Sequence, residues 1–350
     1  MEEPVMRIGI LTGGGDCPGL NAVIRAVTRK GIQEGDNILG ILHGWKGMLT
    51  GQHEELTQRA VSGLIHRGGT ILHTSRTNPF KEDNGGETVA ATFRLLGLDA
   101  LIAIGGEDTL GVANRLFTEY ELPVVGVPKT IDNDLSGTDV TFGFDTAVTV
   151  ATEAIDRLHT TAESHDRVMV VEVMGRHAGW IAVHSGMAGG ADVILIPEKP
   201  FDLDEVSEAI SARHARGKSF SIIVVAEGAR LNSKSNEDLV KQTEDVDEFG
   251  HVRLGGIGHF LASEVETRTG FETRVTVLGH VQRGGSPTAH DRILATLFGI
   301  KSHDLVRGGK FGMMAAMVNG HIGAVPLAEA VKELKTVDMD LYHMASIFFG

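Results

Sequence analysis

Short, wholly apolar runs recur along this chain, and each gives way to a glycine- or acid-rich loop before helical periodicity begins. Runs such as Ala100–Ile104 (ALIAI) and Pro123–Val127 (PVVGV) have no alternating polar positions and are too short for buried helices. Strands of this type are covered on both faces, as in a parallel sheet flanked by helices. The alternation predicts an α/β fold with mostly parallel sheets. Strands are expected at 7–11 and near 38–42, 100–104, 123–127, 168–173, 192–196, 220–226 and 274–278. Helices are expected at 20–34, 86–97, 108–119, 144–162, 177–188, 203–216, 257–269 and 287–307. The polar, mostly acidic stretch 231–256 breaks the rhythm and reads as an exposed insertion with a short hairpin around Phe249–Arg253.

At 350 residues there is chain enough for two domains of ordinary size. A formal net charge of −14 argues against nucleic-acid or anionic-membrane partners, which need basic surface. It leaves room for an anionic metabolite, because a few arginines can dominate one cleft. A lone cysteine, Cys17, excludes an internal disulfide and fits a reducing compartment. The start, MEEPVMRIGIL, lacks the charge pattern of a secretory leader, so a cytoplasmic location is expected.

Parallel strands deliver their following loops to one edge of a sheet, where α/β proteins bind ligands. Gly-Gly-Glu-Asp-Thr (105–109) and Pro-Lys-Thr-Ile-Asp-Asn-Asp (128–134) would bring Glu107, Asp108, Asp132 and Asp134 together there. Gathered carboxylates repel unless a cation or proton intervenes, and a hard cation such as Mg²⁺ with phosphate attached suits them. Glu107 is the candidate metal ligand. Asp132 has the chemistry of a base for a hydroxyl attacking phosphorus, with Asp134 to orient it. Thr12–Asn21 (TGGGDCPGLN) joins a strand to a helix N-terminus and offers backbone amides to an anion. Each loop also has a purely structural reading, as a tight turn, an N-cap or an Asx-turn. Arg167, Arg176, Arg274 and Arg283 lie near strand ends, and a planar guanidinium binds phosphate through two parallel hydrogen bonds. Glu227, in VVAEGAR, could hydrogen-bond sugar hydroxyls.

TGGGDCPGLN, GGEDT, PKTIDND, VMVVEVMGR, IIVVAEG and VLGHVQRGGSPTAHDR occur together and in this order. With that set, residues of about 6–310 resemble the 6-phosphofructokinase family. The resemblance implies two Rossmann-like α/β domains with the active-site cleft between them. The first would comprise about 1–143 plus 257–305, and the second about 144–256 plus 306–350. It implies that Asp132 takes the proton from the 1-hydroxyl of fructose 6-phosphate, supported by Thr130 and Asp134. Arg176 would stabilise the transferring phosphoryl group. Met174, Gly175, Arg176, Glu227, His280 and Arg283 match sugar-phosphate contacts. Arg167 and Arg274 match arginines that reach the 6-phosphate across a subunit boundary, in a homodimer or homotetramer. Gly15 and Arg76 match contacts to the phosphoryl donor. Glu107 stands where the family usually has an aspartate for Mg²⁺.

Two positions speak to the donor. Asp108 follows the metal carboxylate, where ATP users usually have glycine and pyrophosphate users aspartate. Lys129 precedes Thr-Ile-Asp, where most ATP users have glycine. A carboxylate at 108 opposes a nucleotide's α-phosphate by bulk and like charge, and Lys129 supplies a point charge to diphosphate oxygens. The pyrophosphate-dependent subgroup is therefore expected, with the ATP-dependent enzyme and a non-catalytic phosphate-sensing homologue as alternatives. Arg25, Arg29 and Lys218 match effector-binding basic residues of the bacterial ATP enzymes. His159 and Phe220 replace the Arg and His of regulated members, so weak regulation is expected.

Overall fold

A computed structural model describes residues 4–232, 241–246 and 252–349. Its strands are β1 (Arg7–Thr12), β2 (Asn37–Ile41), β3 (His53–Glu55), β4 (Ala100–Gly105), β5 (Val124–Pro128), β6 (Val168–Val173), β7 (Val193–Leu195), β8 (Ser221–Ala226), β9 (Lys241–Val246), β10 (Val252–Leu254), β11 (Thr273–Val277), β12 (Met313–Val318) and β13 (His321–Pro326). They form a seven-stranded sheet in the order β13-β12-β5-β4-β1-β2-β3 and a four-stranded sheet in the order β11-β6-β8-β7, with β9 and β10 as a separate pair. The strands of the four-stranded sheet are all parallel. In the larger sheet only the outermost, β3 and β13, run antiparallel to their neighbours. Every residue of β4, β5, β6 and β8 is buried, which accounts for their runs being apolar apart from Glu172 and Ser221. The α/β expectation holds.

The helix Ala289–Arg307 lies along Leu20–Gln33 on one face of the large sheet. The close approach depends on Gly299, where a Cβ would come within 2.9 Å of the Val23 carbonyl oxygen and 2.8 Å of the Ala26 Cβ.

Sheet membership departs from the expected division in two places. Residues 257–277, assigned to the first domain, belong with the second sheet: β11 pairs with β6 over five residues, from Thr273↔Val168 to Val277↔Glu172. The helix Ile257–Thr269 is tied there too, by the Gly258 amide donating to Glu172 Oε2 at 2.8 Å. Conversely β12 and β13, within the stretch assigned to the second domain, extend the first sheet through β5. Strand β12 (MMAAMV) has no strand signature in the sequence, because methionine and alanine favour helix over strand. The C-terminal helix Met339–Ser346 does meet the second unit, where the Tyr342 hydroxyl donates to the Ile194 carbonyl at 3.0 Å.

Within the insertion β9 and β10 pair antiparallel; the hairpin expected around Phe249–Arg253 falls largely outside the described residues, Phe249 included. No helix among the described residues is long and apolar enough to cross a membrane.

Candidate active site

A cleft of about 140 Å³ opens at the carboxyl ends of β1, β4, β5 and β6. Gly15, Arg76, Glu107, Asp108, Lys129, Thr130, Asp132, Asp134, Arg176 and Arg283 all line it. So do Gly14, Gly106, Thr109, His177 and Leu334, which the sequence did not single out. His177 directly follows the Met-Gly-Arg turn, so its neighbourhood was the signal. Leu334 lies in a C-terminal stretch with no motif.

The glycine loop is bent back onto the sheet by the Gly13 amide, which donates to the Ile104 carbonyl at 2.9 Å, and the Gly14 amide, which donates to Ser75 at 3.0 Å. Gly14 has φ +75°, a conformation costly for side-chain-bearing residues. At Gly15 a Cβ would lie 2.6 Å from Arg283 Nη1, so the missing side chain admits the guanidinium. Cys17, in the same loop, is buried, and desolvation pushes its thiol up to about 12.

Lys129 continues β5 and is buried. Its Nζ donates to the Gly15 carbonyl at 2.5 Å, so the charge also locks the glycine loop. Burial lowers its pKa. Glu107 and Asp108 begin the helix Glu107–Tyr120, where the positive end of the dipole favours carboxylates.

Asp132 is held in a turn: its amide donates to Thr130 Oγ1 at 3.0 Å, while Thr141 Oγ1 donates to the Thr130 carbonyl at 2.7 Å. Asp132 Oδ1 is sealed from solvent and has no protein hydrogen-bond partner. Desolvation, then the Asp134 carboxylate, push the Asp132 carboxyl up to about 7, against the pull of Arg283 and Arg176. A buried acceptor without a donor is costly, and a carboxyl that titrates near neutrality is suited to proton transfer. Glu227 follows β8 with its pKa raised, first by burial, and its charge is felt at both Asp132 and Arg176.

Met174 and Gly175 follow β6 and immediately precede Arg176, without lining the cleft. Gly175 needs its φ of +135°. A Cβ there would lie 2.7 Å from the Ala178 carbonyl oxygen. His280 is exposed on the short 3₁₀ turn Gly279–Arg283, outside the cleft lining.

Arg167 and Arg274 are not brought to the cleft. Arg167 immediately precedes β6 and Arg274 is the second residue of β11, whereas Arg176 follows the far end of β6. Six strand residues at ~3.3 Å each put roughly 20 Å between the two groups. The four arginines therefore do not meet in one chain. Arg167 and Arg274 converge instead on Glu272, Arg167 Nη2 at 2.8 Å from Glu272 Oε1 and Arg274 Nη2 on the same oxygen.

At the positions matched to an effector site, His159 and Phe220 satisfy each other. Their rings meet edge-on with centroids 5.8 Å apart, and His159 Nε2 lies 2.6 Å from the Gly189 carbonyl oxygen.

Glu34, His303 and Asp304 form a preformed metal-capable group among the described residues, but they lie outside the cleft lining. Lys30 already pairs with both carboxylates. Glu107 instead lines the cleft together with Asp108, Asp132 and Asp134, and carboxylate oxygens are the donors that fit Mg²⁺, which takes one or two of them together with waters and substrate phosphates.

The phosphofructokinase family model matches residues 7–306. The chain is 59% identical to a Streptomyces coelicolor protein named pyrophosphate–fructose 6-phosphate 1-phosphotransferase, with 99% of this chain and 100% of that one covered. It is 54% identical to that organism's ATP-dependent 6-phosphofructokinase 3, over 95% of this chain and 96% of the other. Phosphofructokinase from Saccharomyces cerevisiae superposes with a TM-score of 0.80 at 34% identity, over 93% of this chain and 45% of that longer one. With motifs, fold and cleft agreeing with these matches, the chain belongs to the phosphofructokinase family.

Proposed function

We propose that this protein is a pyrophosphate-dependent 6-phosphofructokinase, which reversibly moves a phosphoryl group from diphosphate to the 1-hydroxyl of fructose 6-phosphate in the cytoplasm. Asp132 accepts the hydroxyl proton as the new O–P bond forms; the P–O bond of diphosphate breaks, and orthophosphate leaves. The orphaned Asp132 Oδ1 supports this role, since a substrate hydroxyl supplies the donor it lacks. Thr130 fixes the turn and Asp134 keeps the Asp132 pKa high. Arg176 and Arg283 meet the charge on the transferring group.

The donor side is built on the first sheet, from Gly15, Arg76, Glu107, Asp108 and Lys129. The sugar phosphate side comes from the second, with Met174, Gly175, Arg176 and Glu227, completed by His280 and Arg283. Glu107 would hold Mg²⁺, whose charge shields the phosphate oxygens from the carboxylates. Arg167 and Arg274 act in the cleft of a partner subunit, in a homodimer or homotetramer. Their distance from their own cleft supports that arrangement. The ring pair of His159 and Phe220 supports weak effector control.

One observation supports the choice of donor: Asp108 lines the same cleft as Glu107 and the glycine loop, and a carboxylate there opposes a nucleotide's α-phosphate by bulk and like charge. Initial rates at saturating fructose 6-phosphate and Mg²⁺ test it. Diphosphate should support turnover and ATP little. Asp108→Gly should raise the ATP rate at least tenfold, the scale of one relieved like-charge contact at about 1.4 kcal/mol. Brisk wild-type turnover with ATP and none with diphosphate would overturn the donor reading.

A further inference from the structure

The family match stops at residue 306, yet the chain returns to the catalytic turn after it. Residues 334–337 cross the mouth between the loop that carries Asp132 and the loop that carries Arg176. Leu334 lines the cleft and pairs with Leu135 in an isolated antiparallel bridge. The Lys335 amide donates to the Asp134 carbonyl at 2.8 Å.

The Lys335 side chain spends all three ammonium protons on that turn. Nζ donates to Asn133 Oδ1 at 3.1 Å, to the Thr138 carbonyl at 3.0 Å and to the Asp139 carbonyl at 3.0 Å. Asn133, between the two aspartates, holds a left-handed φ of 52°. Its Oδ1 also accepts from the Thr141 amide at 3.1 Å. Lys335 and Thr141 thus grip the turn by the same atom.

On its other side the segment grips the second unit. The Trp180 indole N–H donates to the Lys335 carbonyl at 3.1 Å, and the Lys335 ammonium lies 5.5 Å from the Trp180 ring. Trp180 opens the helix Trp180–Ala188, four residues beyond Arg176. Glu198 adds a second tie, accepting from the Gly179 amide at 3.0 Å and the Val337 amide at 2.8 Å. Burial draws the Lys335 pKa down to about 8, against Asp134 and Asp139, so the ammonium stays charged at neutral pH.

We infer that Lys335 is a positioning residue for phosphoryl transfer, fixing the Asp132 turn against the loop that presents Arg176. Stability alone does not call for one side chain to saturate three acceptors on the Asp132 turn while its own carbonyl is held by Trp180, four residues beyond Arg176. The inference rests on the proposed roles of Asp132 and Arg176, and not on the choice of donor.

Lys335→Met keeps the alkyl stem and removes the donors. Assayed well below its unfolding temperature, it should lose 10- to 100-fold in kcat while KM for fructose 6-phosphate stays within about threefold, because alignment at the reacting centre is lost and binding groups remain. Backbone hydrogen exchange should quicken at 130–141 and 179–182 and stay unchanged across Ile8–Leu11. Lys335→Gln, with two donors left, should fall between and serves if Lys335→Met does not fold. Rates are read with diphosphate and with ATP. If ATP proves to be the donor, the donor reading falls while the kcat ratio still tests Lys335. If wild type turns over with neither, the exchange pattern decides. A folded Lys335→Met or Lys335→Gln with wild-type kcat, or with unchanged exchange at 130–141, overturns the inference.

Discussion

Asp132 pulls stability and function in opposite directions. Its carboxyl titrates near 7 in the folded protein, above the ordinary aspartate value of 3.8, because burial and Asp134 oppose its charge. A raised folded pKa adds stability below the unfolded value, and that addition is lost as pH rises through about 7. Asp132→Asn should therefore melt higher than wild type at pH 8, with the gain vanishing toward pH 4. Differential scanning of the substrate-free, metal-free proteins reads this directly. The same substitution should cut the rate by about 10²–10⁴, and the acid limb of the wild-type kcat/KM profile should fall near pH 7. An unchanged rate would remove Asp132 from its role. Many of the residues that line the cleft were legible because they follow closely on a strand, as Gly15, Glu107, Asp132 and Arg176 do, whereas Leu334 stands in a stretch with no motif. What was not legible is the handling of charge: that Lys129 turns its ammonium to the Gly15 carbonyl, or that Glu272 gathers Arg167 and Arg274, depends on contacts between segments far apart in sequence.

Among elements, the buried parallel strands announced themselves and the margins of the sheets did not. β4 and β5 are covered on both faces, so every residue is apolar and the run is unmistakable. β3 (HEE) is fully exposed at a sheet edge, and β12 is built of Met, Ala and Val, so neither has a strand's signature. The pairing of β11 with β6 was likewise invisible, because strand partners follow from tertiary contact and not from local pattern. Helix contact makes a further test. Gly299→Ala gains helix propensity of about 1 kcal/mol, but its methyl group meets the Val23 carbonyl at 2.9 Å. Overpacking should win, for a net loss of ~1–2 kcal/mol seen as a lower urea midpoint with unchanged slope.

At the level of the whole molecule, the proposed function divides the work between two sheets and has each chain borrow two arginines from a partner. Arg167 and Arg274 stand at the opposite end of β6 and β11 from Arg176. Mixing chains tests whether a partner uses them. Asp132→Asn and Arg274→Ala proteins, each nearly inactive, should regain activity when unfolded and refolded together. Random pairing into dimers restores one sound cleft in each mixed pair, or about a quarter of the wild-type rate. No recovery would place both residues in the service of a single chain. The separation along β6 has one more consequence. A polypeptide whose arginines serve a neighbour's cleft is only half a catalyst when alone, so output per molecule becomes a property of the population. Below the concentration at which chains associate, doubling the number of chains would quadruple the flux.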